Sequence, residues 1–332
     1  MTAIASATAL TLADLASRQT GQGKIDSQIV EILSNSSEIL DDALWVECND
    51  GTGHKTTIRS GLPTGTWRLL NYGVQPEKST TVQIRDTCGM LETYSEVDSA
   101  LVEIADDKAA FRMSEDKAFI EGLNQTMMKT LFQGDTSKTP EKFMGLEARF
   151  AKKAGVESGD NIISGGGSGS TNTSVWLITW ASDAVHMIYP KGSTAGLSVK
   201  DLGEATLEDA NGGKYQGFRT HYKWMCGLTV RDWRKVVRIA NIDVSALKKD
   251  AASGADLIDL MVRAIETLPT GTTGKMAFYC NRTIRSFLRR QIANKSNVWL
   301  SMEEIAGKKV VAFDGIPVRR VDCILNTEAT IS

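Results

Sequence analysis

Apolar positions along this chain change their spacing twice. From Gly51 to Val97 they are sparse and recur at strand spacing, as in Thr80-Thr81-Val82-Gln83-Ile84-Arg85, while Gly61, Pro63, Gly65, Gly73 and Pro76 punctuate the run with turns. This predicts a hairpin with almost no core of its own. Such a hairpin is marginal in water, because it buries too little apolar surface to offset its ordering entropy. It needs another surface to lie on, and a second copy of the chain can supply one. From Ser114 the period lengthens, with Phe119, Leu123, Met127 and Leu131 four apart and Ile120 alongside. With Ser114 as N-cap, Glu115 and Asp116 at the positive end and Gly134 as the stop, a helix is expected over 114–133, about 30 Å long.

Beyond residue 150 strands and helices mix. Val175–Trp180 (VWLITW), Trp224–Val230, Val236–Ile242 and Met276–Tyr279 read as strands. Leu257, Met261, Ile265 and Leu268 mark a helix ended by Pro269, and Asn281 caps another through Ile284, Leu288 and Ile292. The segment VVAFDGIPVRRVDCIL turns as a hairpin at Asp314-Gly315. In front, Thr11 and Asp26 cap two short helices in an arm that runs to about Asp42. No repeat and no regular βαβ alternation is present, so the expected class is α+β.

Composition narrows the function. The 332 residues are 42% hydrophobic and 23% charged, as in a soluble globular protein. Thirty-eight basic against forty acidic side chains give a net charge of −2, which argues against a dedicated nucleic-acid binder while leaving room for a local basic face. Five widely spaced cysteines without a CxxC pair point to buried free thiols in a reducing compartment rather than to a disulfide framework or zinc site. The N-terminus lacks the basic start of a secretory signal and no apolar run approaches a membrane span, so cytosolic synthesis, an uncut N-terminus and no membrane partner are expected.

Catalytic chemistry is hard to place. The Gly-rich tract Ser164–Ser170 fits neither GxxxxGK[ST] nor GxGxxG, since Ser170 stands where the third glycine is needed and a strand follows it; a mobile surface loop is expected. Gly213-Lys214 and Gly274-Lys275 are followed by Tyr215 and Met276, and Ser168 misses the GxSxG elbow. His54, His186 and His221 sit in no metal or nucleophile motif, and the adjacent acids Asp41-Asp42, Asp106-Asp107 and Glu303-Glu304 read as solvated faces. No catalytic residue, cofactor or metal is expected. Arg282, Arg285, Arg289 and Arg290, with Lys295 beyond, are either a solvated helix face or a contact for phosphate or an acidic neighbouring subunit. Among the tryptophans, Trp176, Trp180 and Trp224 are assigned to the core. Trp67 lies in a polar loop with no local core, so an interface role is favoured there, with local packing as the alternative.

Five segments in order resemble the major capsid proteins of tailed double-stranded DNA bacteriophages: GLPTGTWRLLNYG (61–73); LFQGD (131–135) with FMGL (143–146); IYPKG (188–192) followed by AGL (195–197); RIANID (238–243); and FDGIPV (313–318). The likeness extends over most of the chain and leans toward short-tailed phages of the epsilon-fifteen kind. It implies the Hong Kong ninety-seven capsid fold and no catalytic site. The expected parts are an N-terminal arm (1–45), an E-loop (46–100), a P-domain (101–150) with its spine helix at 114–133, a mainly A-domain stretch (151–310) and a C-terminal strand segment (311–332). Trp67, Arg68, Asn71, Tyr72, Val82 and Ile84 become candidate intersubunit contacts.

The resemblance also implies pentamers and hexamers of the chain itself, a separate scaffolding protein, a portal, a cementing or decoration protein and non-specifically packaged DNA. Assembly is expected in the bacterial host cytoplasm, ending in the virion. A covalent crosslink through Lys78 and Asn326 is conceivable, but the local pattern does not identify it. The competing readings are an encapsulin-type compartment shell of the same fold and a nucleotide-binding enzyme using the Gly-rich tract.

Overall fold

Strand-forming residues dominate the order of elements. The computed structural model describes residues 38–51, 53–105, 107–209, 211–247, 256–294, 300–305 and 308–332, with backbone only for 291–294, 300–305 and 308–310. A single helical turn, α1 (Ile39–Asp42), leads to β1 (Trp45–Glu47), β2 (His54–Gly61), β3 (Thr80–Asp86), β4 (Gly89–Asp98) and α2 (Ser99–Ile104). The long helix α3 (Lys108–Gln133) and the short α4 (Leu146–Arg149) follow. Then come β5 (Ile162–Ser164), β6 (Asn172–Trp180), β7 (Val185–Tyr189), β8 (Leu197–Glu208), β9 (Lys214–Val230) and β10 (Val236–Asp243). The chain continues through α5 (Leu257–Thr267), β11 (Lys275–Cys280), α6 (Arg282–Asn294), β12 (Leu300–Ile305), β13 (Lys308–Phe313) and β14 (Ile316–Arg320). The helices expected after Thr11 and Asp26, and Lys295, lie outside the described residues.

The long helix starts at Lys108 instead of Ser114. Asp107 takes the capping role, its Oδ1 accepting from the Ala110 amide at 2.9 Å. Ser114 lies inside the helix and donates its hydroxyl to the Phe111 carbonyl at 2.8 Å, an alternative open to serines within a helix. Ile120, expected beside the apolar stripe, is exposed, whereas Leu123, Met127 and Leu131 are buried. The stop is sterically enforced: a Cβ on Gly134 would come within 2.5 Å of the Thr130 carbonyl, which accepts the Gly134 amide.

Two compact units emerge. The larger comprises residues 37–89, 129–195 and 226–332. At its centre β6 is buried at all nine positions and pairs antiparallel with β10 and β11. β11 runs parallel to β14, which continues to β13 and β12, while β5 borders β10. Strand alternation then divides the side chains between two faces. Leu177, Val237, Ile239 and Phe278 pack with Leu260 and Met261 of α5 and with Ile284 and Leu288 of α6. Trp176 belongs to the opposite face, where Phe132 and Phe150 meet it edge-on at 6.0 and 5.9 Å. The β13–β14 turn places Asp314 and Gly315 at positive φ, the geometry that matches strand twist in a two-residue hairpin.

The smaller unit includes residues 90–128 and 196–225. Its core is Val97, Leu101, Val102, Ala105 and Phe111, with Phe218 packed against them. β8 and the first part of β9 form a long antiparallel hairpin. Only the end of β9, from Trp224, was legible as a strand, because β8 is exposed along most of its length and carries no apolar alternation. Phe119 of α3 stacks parallel to Tyr222 of β9 at 6.0 Å.

Candidate intersubunit surface

The weakest-supported element is the arm formed by β2 and β3. These strands pair antiparallel, Ile58 opposite Val82 and Thr56 opposite Ile84, as a separate two-stranded sheet. Between them residues 62–79 carry an apolar surface facing solvent: Leu62 is 73% exposed, Trp67 101%, Leu69 73%, Leu70 85% and Tyr72 68%. The segment is nonetheless shaped. The Thr64 amide and hydroxyl both donate to the Glu77 carboxylate, at 2.5 and 3.2 Å, bracing the two sides. A turn at Leu70-Asn71 is closed by the Tyr72 amide donating to the Leu69 carbonyl at 3.2 Å, with Asn71 at φ 67°. Arg68 Nη1 reaches the Tyr72 carbonyl at 3.4 Å.

Four of the six candidate contacts, Trp67, Arg68, Asn71 and Tyr72, therefore gather at the tip. Val82 and Ile84 do not join them. They line a cleft of about 580 Å³ with Ile58 and Leu62, facing Arg231 and Trp233 of the body. This separation follows from the register, since residues two apart on β3 share one face.

At the root the arm is fastened by charge. Asp86, at the end of β3, accepts from Arg149 Nη2 at 2.6 Å, and that nitrogen also reaches the Leu228 carbonyl at 3.1 Å. His54, opposite Asp86 in the hairpin register, meets His186 of β7 edge to face, with centroids 5.3 Å apart. Burial pushes His186 down to about 4, and burial lowers His54 as well. Burial thus disfavours the charged form of both imidazoles under the hairpin. Cys48 and Cys88, far apart in sequence, bring their Sγ atoms to 3.5 Å here. All five cysteines are free thiols, and burial raises the pKa of both members of this pair, which disfavours the reactive thiolate.

Other sequence-level candidates resolve into structure. The Gly-rich tract, expected to be a mobile loop, is pinned to the β10 bulge: Gly165 and Gly167 donate to the carbonyls of Ala240 and Asn241, both at 2.7 Å. Asp42, expected on a solvated face, is buried and receives Tyr279 at 2.9 Å, Arg319 at 3.1 Å and Lys275 at 2.8 Å. That network was invisible in the sequence because its members are hundreds of residues apart. Asn326 accepts from Asn281 at 2.6 Å.

A second buried pair, Arg238 and Glu328 at 2.9 Å, ties the C-terminal segment beneath β6, with Arg238 also donating to the Phe150 carbonyl at 2.8 Å. Close by, burial first and the Glu328 charge second raise Glu147 to about 7. Among the described residues no group of three or more His, Cys, Asp or Glu side chains is placed to hold a metal, and no helix is long and apolar enough to cross a membrane.

A mixed fold whose most apolar exposed segment is a braced arm presents a surface suited to a partner. Comparison with known proteins gives the class directly. The profile of major capsid protein GP7 matches residues 20–332. A chain in the structure of bacteriophage Epsilon15 is 40% identical, with a TM-score of 0.80 over 100% of this chain and 99% of that one. The capsid of bacteriophage JBD30 shares the fold at 9% identity, with a TM-score of 0.51 over 95% and 99% of the two chains. An encapsulin from Synechococcus elongatus PCC 7942 aligns at 11% identity and a TM-score of 0.48, covering 72% of this chain and 99% of that one. No curated protein matches by sequence. The protein is a structural capsid shell protein with the Hong Kong ninety-seven fold. It belongs to the major capsid protein GP7 family and its place is the capsid of a phage virion.

Proposed function

We propose that copies of this chain form pentamers and hexamers of an icosahedral shell around the double-stranded DNA of a tailed phage, and that residues 54–86 act as the E-loop joining each copy to the next. The exposed apolar row from Leu62 to Tyr72 on a two-stranded sheet carries the reading. Each of its large side chains is worth about 2 kcal/mol on burial, and nothing among the described residues of the subunit collects it. Head-to-tail contacts of this kind close into rings when the rotation allows, and many modest contacts acting together hold a shell. The unpaired edges of β2 and β3 suit strand addition on a neighbour.

The role is structural, without catalysis. Scaffolding, portal and cementing proteins are the partners that such assembly calls for, in the bacterial host cytoplasm. The N-terminal arm, P-domain around α3 and A-domain around the β6 sheet complete the assignment. The test is assembly of the full chain, co-expressed with its scaffold, by negative-stain microscopy. Removal of residues 62–74 should leave soluble, folded subunits that form few or no particles. Normal yields of stable shells from that variant would overturn the arm's role.

A further inference from the structure

The shell reading leaves the basic face of α6 unused. Ile284 and Leu288 turn inward to the core, so Arg282, Arg285, Arg289 and Arg290 are left toward solvent or partly so. With Arg320 of β14 and Ser286 they line an opening of about 550 Å³. Among the described residues two carboxylates answer five guanidinium groups. Asp322 takes Arg282 at 3.0 Å and also Arg320. Glu38 stands 3.9 Å from Arg285 and is shared with Arg319 at 3.7 Å. Arg290 lies over the Phe287 ring at 5.4 Å, and Arg289 has no partner among the described residues. Arg285 Nε is buried without a hydrogen-bond acceptor.

This arrangement works against the fold. Like charges three and four residues apart on a helix repel, and Arg282 and Arg285 add positive charge to the end of α6 that is already positive. Elsewhere the same unit handles cations differently: Arg149 pairs with the buried Asp86 and Arg238 with the buried Glu328, one carboxylate to each guanidinium. Where arginine serves the fold here, it is matched. Among the described residues the surplus on α6 stays unmatched, an arrangement that suits an anion from outside. Arg282 to Arg289 spans about 10 Å of helix, a length that covers roughly three phosphates of one strand only as measured along the axis of duplex DNA. A repeating polyanion fits such a row better than a single acidic side chain, and guanidinium forks match phosphate oxygens.

We propose that the arginine-lined pocket of α6 and β14 binds the phosphodiester backbone of nucleic acid, without reading its sequence. The inference rests on the capsid reading only for naming that nucleic acid as the packaged genome. Its test uses unassembled full-length subunits, so failure here leaves the shell function standing.

A short random-sequence DNA duplex is titrated against wild type and Arg289→Gln/Arg290→Gln at several salt concentrations, with thermal melting as a check that both fold alike. The double variant should bind about tenfold or more weakly, and the slope of log affinity against log salt should fall by about 2. Inorganic phosphate displacing the duplex at matched ionic strength would support the same phosphate site. It would also show that a free anion can occupy it. An absence of duplex binding, an unchanged salt slope, or a glutamate-rich peptide binding as tightly as the duplex would overturn the proposal, the last pointing to a protein neighbour instead.

Discussion

Strands β6 and β3 are written in the same alphabet and end in opposite circumstances. β6 (NTSVWLITW) and β3 (TTVQIRD) both lean on threonine and β-branched residues. Every position of β6 is buried, between β10 and β11 and under side chains on both faces. On β3 only Asp86 is buried, and its hairpin stands alone as a sheet. Strand chemistry makes a chain extended; what surrounds it decides whether extension is stable. The body of this protein supplies its own surroundings, and the arm takes them from elsewhere.

The largest effect should come from the body. Trp176 is fully buried and meets Phe132, Phe150 and the Arg238 guanidinium. Trp176→Ala should cost about 3–5 kcal/mol of subunit stability in chemical denaturation. A loss below about 1 kcal/mol would mean that β6 is not the centre on which the larger unit depends.

The root of the arm should respond at an intermediate level. Arg149→Met leaves the Asp86 carboxylate buried without its cation, a change expected to cost about 3 kcal/mol. Amide exchange in β2 and β3 should accelerate more than in β6. Equal acceleration in both would show that the root belongs to the body's cooperative unit.

Acidity separates the two regions by sign. His186, at the arm root, is held at about 4 against an ordinary value of 6.5, chiefly by burial. The unfolded chain therefore binds the proton more readily, and the stability this group confers is present above pH 6.5 and lost as pH falls toward 4, by about 3 kcal/mol in all. Glu147, beside the buried Arg238–Glu328 pair, is raised to about 7 from 4.5. Its contribution is present below pH 4.5 and lost as pH rises through 7. Between pH 4.5 and 6.5 the two slopes oppose each other. His186→Gln should leave stability falling with pH in that window, and Glu147→Gln should leave it rising. Unchanged pH profiles in both variants would remove these two groups from the comparison.

What the sequence disclosed follows from the same contrast. VWLITW, the stripe on α3 and the Asp314-Gly315 turn were legible because burial and turn geometry leave periodic or local marks. The arm was legible through a lack, apolar residues without a core. β8 escaped, since an exposed strand in a long hairpin carries no alternation. Asp42 with Tyr279 and Arg319, and His54 with His186, escaped for another reason: their members meet only through the fold. At the tip, sequence named Trp67, Arg68, Asn71 and Tyr72 but also Val82 and Ile84, whose place on the cleft wall depends on the register of β2 against β3.

The smallest effect on the subunit is the most informative about the shell. Trp67 is fully exposed, so an alanine there removes no contact that the isolated fold makes. Trp67→Ala should shift subunit stability by less than about 0.5 kcal/mol, within the ordinary range for surface changes. Yet the indole is the largest apolar surface on the tip, and aromatic anchors carry much of the free energy of protein interfaces. Assembled shells of the variant should therefore dissociate at lower denaturant concentration than wild type, with denaturation of free subunits as the control. If stability drops equally in subunits and shells, Trp67 packs within its own chain and the arm's tip is part of the body after all. A drop confined to shells would locate its missing surroundings on a neighbouring copy.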